Sequence, residues 1–157
     1  LVFNTNENPD PTSRLRIISW NQTFTLIQKY PLLGTGYNTL KYVKYNEGFV
    51  QDPNNHAASG SDSSLLTILA TTGILGLLAF IMLYFKTIKL AIQNERNKKN
   101  PLVWRGYALG VFAGTIGLLI HSLFINSLLF PQIMIFFWVS IGLLPQTTGE
   151  TINASQD

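Results

Sequence analysis

Five side chains of this sequence stand where they could do chemistry: Arg14, Arg16, His56, Asp62 and His121. On a helix Arg14 and Arg16 lie about 200° apart, so they cannot serve one ligand from the same face. Arg16 falls about 50° from the centre of the apolar stripe Ile17, Trp20, Phe24 and Ile27, with Thr23 beside it. A guanidinium there reaches headgroup level and can grip a phosphate through its planar fork, although an arginine snorkelling at an interface has the same pattern. Asp62 precedes Ser63-Ser64 at the start of an apolar run. It is either a general base or an N-cap that satisfies orphan N–H groups at the positive end of a helix. His56, in Asn54-Asn55-His56-Ala57, is a loop histidine that either moves a proton near neutral pH or is simply solvated. His121 lies inside a second apolar run, where an ionisable group supports a site from behind or hydrogen-bonds a neighbouring helix.

The elements that must position these groups are apolar and helical. Ser64 to Phe85 is 22 residues without a charge, about 33 Å at helical rise and enough to cross a hydrocarbon core of about 30 Å. Gly106 to Ile125 is 20 residues with His121 and Tyr107 as its titratable groups. Ser127 to Leu144 is 18 residues, with Pro131 near its start, where proline is tolerated, and Pro145 to close it. Three transmembrane helices are therefore expected at 64–85, 106–125 and 127–144. Gly106, Gly110 and Gly114 recur every four residues, a face that lets another backbone approach closely. Before the first span, Pro9 to Ser13 make a break and an N-cap. Ile17, Trp20, Phe24, Ile27 and Tyr30 then recur at three and four residues until Pro31, predicting an amphipathic helix over about 13–29. Leu32 to Tyr37 reads as a tight glycine turn, and Asn38 to Gly60 as a loop with short helical pieces.

Charge fixes the expected orientation. Lys86 to Arg105 holds six basic residues against Glu95, a net +5, which marks this connection as cytoplasmic. Residues 1–63 carry five basic and five acidic side chains and are expected outside, with the tail 145–157 inside. The overall charge of +3 arises in that one connection, which argues for membrane topology and against nucleic acid as a partner. With no cysteine and two histidines, the sequence offers no disulfide framework, thiolate cluster or structural zinc site, so no metal is expected. Hydrophobic residues make up 46% and charged ones 12%, too apolar a balance for a free-standing soluble domain. The fold expected is all-α and integral to the cell membrane: three spans plus an extracytoplasmic amphipathic helix and loop. We read the chain as the C-terminal part of a larger helical bundle, with further membrane helices upstream and lipids around it.

Arg16, then Trp20, then Tyr30-Pro31-Leu32-Leu33-Gly34-Thr35-Gly36, and later Ser64-Leu65-Leu66-Thr67-Ile68-Leu69-Ala70-Thr71-Thr72-Gly73-Ile74-Leu75-Gly76, resemble in order and spacing the C-terminal half of the O-antigen ligase and polymerase family. The resemblance covers roughly residues 13 to 85. It implies a metal-independent glycosyltransferase without cofactor, which passes saccharide from a polyprenyl diphosphate-linked donor to a glycan or lipid acceptor hydroxyl outside the cytoplasmic membrane. It also implies that Arg16 holds the diphosphate; Arg14 is kept as a second candidate for substrate binding. Where ligases of the family carry His-Asn, this sequence has Asp62-Ser63, so the base stays open between Asp62 and His56. The reading from a different class is a non-catalytic membrane subunit or a permease fragment whose polar loop recognises a partner.

Overall fold

A computed structural model describes residues 11–52 and 60–144, all helix and turn among those residues. The order is α1 (Pro11–Lys29), α2 (Leu40–Asn46), α3 (Ser64–Arg96), α4 (Leu102–Ser122), a 3₁₀ turn (Ser127–Leu129) and α5 (Pro131–Gly142). His56, Pro145 and the tail lie outside the described residues.

α3 is not the uninterrupted rod that its composition predicts. Gly73 has φ 66° and ψ −169°, and breaks the helix after its first nine residues. A break leaves carbonyls without partners on one side and N–H groups on the other, an arrangement that an apolar environment does not tolerate unless other groups pair with them. Here the glycine turn supplies those partners. Thr35 N–H donates to the Ala70 carbonyl and Gly36 N–H to that of Thr71, both at 2.8 Å. In return Ile74 N–H donates to the Pro31 carbonyl at 2.9 Å, and Leu75 N–H to that of Leu32 at 3.4 Å. Residues 31–36 thus complete the backbone of a helix to which they do not belong. The contact is so close that a Cβ on Gly34 would lie 2.4 Å from the Thr71 carbonyl carbon, and one on Gly73 would lie 2.2 Å from the Leu32 carbonyl oxygen.

This exchange seats α1 against α3, but on a different face from the expected stripe. Thr23 and Leu26 are buried and Arg16, Ser19, Trp20 and Ile27 half-buried, while Ile17 is 55% and Phe24 48% exposed. The amphipathic helix anticipated from Ile17, Trp20 and Phe24 is therefore not borne out as drawn. The reason is the seat itself. Leu26 packs with Leu40 and Ala70, and Thr23 can be buried beside it because its hydroxyl donates back to the Ser19 carbonyl at 2.7 Å. An ion pair between Lys29 and Glu47 ties the end of α1 to the end of α2.

α3 and α4 form an antiparallel hairpin around Ala91, Ala108, Val111 and Leu144. The basic stretch expected as a loop from 86 to 105 is mostly helix, because α3 runs to Arg96 and α4 starts at Leu102. Side chains tighten the short turn. Asn100 donates to the Asn94 carbonyl at 3.2 Å, and Arg105 Nε to that of Glu95 at 2.7 Å.

A further expectation changes. The third apolar run yields a 3₁₀ turn and then α5, whose 12 residues reach about 18 Å, well short of a hydrocarbon core. Pro131 does occupy the first turn of that helix, but it also forces the helix to begin there. Two helices of spanning length and composition, α3 and α4, are thus found among the described residues, not three. Among the described residues the Gly106, Gly110 and Gly114 face makes no close helix contact: a Cβ on any of them would meet nothing within 4 Å. Gly110 and Gly114 instead line a cavity of ≈ 380 Å³ with Tyr107, Phe136 and Phe137. α4 meets α5 through the Tyr107 hydroxyl, which donates to the Ser140 carbonyl at 2.8 Å.

Candidate functional site

The start of α3 is a buried polar knot. Ser63, not Asp62, caps the helix, accepting from the Leu66 N–H at 3.4 Å. Its hydroxyl donates to the Ser122 carbonyl at the end of α4, at 3.3 Å. Ser61 is buried, and its hydroxyl lies 2.9 Å from that of Thr67, which reaches the Asn126 Oδ1 at 3.3 Å. Ser64 donates to the Ile125 carbonyl at 2.9 Å and accepts from the Leu128 N–H at 3.1 Å. Five short polar residues therefore bind one end of α3 to the turn after α4, and each replaces water that the apolar surroundings exclude.

Asp62 stands on this knot rather than in it. Its side chain is exposed and its backbone is left-handed, with φ 55°. Asp is one of the few residues that visit this region without severe strain. Flanked by buried Ser61 and Ser63, it is turned outward. The N-cap reading of Asp62 is thereby overturned, since Ser63 holds that position.

Behind Asp62 lies a residue that the spacing arguments passed over. Lys44, on α2, is 0% exposed, and its ammonium donates to the Gly60 carbonyl at 2.7 Å. Burial pushes its pKa down to about 8, and the Asp62 carboxylate pulls it back up. The sequence did hold a signal. Leu40, Val43 and Lys44 share a helical face at i, i+3 and i+4, so the lysine sits among the buried apolar positions. The chain of contacts continues to α1: Phe49 N–H donates to the Lys44 carbonyl at 2.9 Å, and the Gln22 side chain donates to the Phe49 carbonyl at 3.3 Å.

α1 divides the two arginines. Arg14 is exposed. Arg16 turns into the packed face, where its Nε and the indole Nε1 of Trp20, one turn on, are both buried without a hydrogen-bond acceptor among the described residues. Buried donors are nearly always paired, and an unpaired guanidinium nitrogen is costly. His121 is not drawn in. Its side chain is exposed, and it is Ser122, a 100° step further round α4, that meets the knot. No cluster of metal-ligating side chains occurs among the described residues.

Comparison with curated proteins and with solved structures returns no match. A family model described as O-antigen ligase matches residues 1–81. The matched stretch holds α1, the glycine turn, Lys44, Asp62 and the break at Gly73. With more than half of its length matched and two apolar helices long enough to span a bilayer, this chain is a membrane protein that belongs to the O-antigen ligase family.

Proposed function

We propose that the chain is part of a glycosyltransferase that moves saccharide from a polyprenyl diphosphate-linked donor to an acceptor hydroxyl on the outer face of the cytoplasmic membrane. The observation that carries this reading is the Arg16 Nε, buried and without a hydrogen-bond acceptor among the described residues, one helical turn before Trp20. A half-buried cation with a spare donor is suited to an anion delivered by a lipid, and the fork of arginine matches phosphate oxygens. The acceptor oxygen attacks the anomeric carbon as the bond from that carbon to the diphosphate oxygen breaks. The proton passes to Asp62 or His56, and the charge on the departing diphosphate is met by Arg16; Arg14, exposed about 200° round the helix, does not share that contact. A diphosphate is already a good leaving group, so orientation, proton removal and charge neutralisation are what the protein must supply.

Two experiments test this. Arg16→Lys in the full-length protein keeps the charge and loses the fork, so glycan transfer falls by about tenfold or more at unchanged membrane level. Normal transfer would remove Arg16 from the site. Orientation is read from the cysteine-free chain. Lys98→Cys, in the turn after α3, stays shielded from an impermeant thiol reagent in intact cells, whereas Asn46→Cys, exposed at the end of α2, is labelled. The reverse pattern puts α1 and α2 on the cytoplasmic side and ends the outer-face reading.

A further inference from the structure

Lys44 is a costly residue to keep. A fully buried ammonium loses its hydration, and an apolar side chain of similar length would fill the same space without that cost. Among the described residues, one of its three N–H donors is used, on the Gly60 carbonyl. The charge itself is countered by Asp62, the one carboxylate among the described residues that acts on it. Lys41 on the same helix is half-exposed, Glu47 at its end is engaged by Lys29, and α1 contributes the neutral Gln22 through Phe49. The lysine therefore does two things to one short segment. It clamps Gly60, two residues ahead of Asp62, and it places a positive charge behind a carboxylate whose left-handed backbone already turns it outward.

We propose that Lys44 is a positioning residue for transfer: its buried ammonium holds the Gly60–Asp62 segment and keeps the Asp62 carboxylate in place as the proton acceptor. This rests on the reading of Asp62 as the base. The role needs the cation, so it is lost when Lys44 gives up its proton, even though folding is then favoured. The folded chain releases that proton near pH 8, whereas the unfolded chain holds it until about 10.5. Between those values the unfolded state binds more protons, and stability rises with pH. Transfer falls through the lower part of the same window, and a purely structural lysine would not make the two move in opposite directions.

The test uses the full-length protein in membrane vesicles, with polyprenyl diphosphate-linked saccharide extracted from the producing strain as the probe. Transfer and thermal stability are followed over the same alkaline range. In the wild type, transfer declines through about pH 8 as stability climbs. Lys44→Arg, which stays charged, retains transfer and loses the decline. Lys44→Met transfers about tenfold less at every pH and shows neither trend. Because Lys44→Met could fail to accumulate, Asp62→Asn supplies a second readout: without the carboxylate the stabilisation begins at lower pH. The proposal is overturned if the decline persists in Lys44→Arg, if Lys44→Met transfers normally per folded molecule, or if Asp62→Asn leaves the stability profile unmoved. Full transfer by Asp62→Asn would instead defeat the assignment of the base. An inactive Asp62→Asn alongside a normal Lys44→Met defeats the role of Lys44 alone.

Discussion

Gly34→Ala removes folded protein from the membrane. At φ 68° the added methyl strains the backbone, and it would also stand 2.4 Å from the Thr71 carbonyl carbon and 2.6 Å from the Gly73 nitrogen. Neither atom can turn aside as a side-chain tip does. To make room, the glycine turn must withdraw from α3. The hydrogen bonds from Thr35 and Gly36, and those to Pro31 and Leu32, then break together. Four backbone groups at the break of an apolar helix are left unpaired, each at about 1–3 kcal/mol. With left-handed strain of about 1–3 kcal/mol added, the total is comparable with the whole stability of a typical domain, about 5–15 kcal/mol. Gly48→Ala is the matched control: φ is 73° there as well, but nothing lies within 4 Å of the new Cβ, so strain alone remains. The comparison is read as the yield of monodisperse, detergent-extracted protein. Equal yields for the two variants would show that the exchange between turn and helix is not what holds α1 in place.

Asp62→Asn abolishes transfer and leaves the fold intact. Asparagine adopts φ near 55° as readily as aspartate does, and the cap of α3 belongs to Ser63, so neither backbone nor helix end is disturbed. What disappears is the capacity to accept a proton, worth about 10²–10⁴ in rate for a positioned base. His56→Ala, assayed beside it at equal membrane levels, decides between the two acceptors. A dead His56→Ala with an active Asp62→Asn makes the histidine the base. Normal transfer by both variants leaves the acceptor proton without either candidate and favours the non-catalytic membrane subunit.

Much of the architecture was legible in the residues. The apolar runs marked α3 and α4 because spanning helices must be long and uncharged, and Pro31 marked the end of α1 because proline has no N–H to continue a helix. The order of Arg16, Trp20, the glycine turn and the Gly73 segment identified the family. Length arithmetic went astray at the third run, since counting apolar residues does not register that 127–129 form a 3₁₀ turn before Pro131 restarts the helix.

What only the tertiary structure decided is which groups meet. Periodicity put Ile17 and Phe24 on the buried face of α1, yet the seat at Ala70 turned Thr23, Leu26 and Arg16 inward instead. Adjacent residues on a helix point about 100° apart, so Ser122 joined the polar knot and His121 did not. Lys44 had no role in the sequence pattern, and only the fold joins its ammonium to Gly60 and brings it under the influence of Asp62. The glycines at 34 and 73 were visible, but their pairing was not. Hydrophobic pattern records how much of a segment avoids water, whereas a backbone hydrogen bond between distant segments carries no side-chain signature, so the contact that organises this site exists only once the chain has folded.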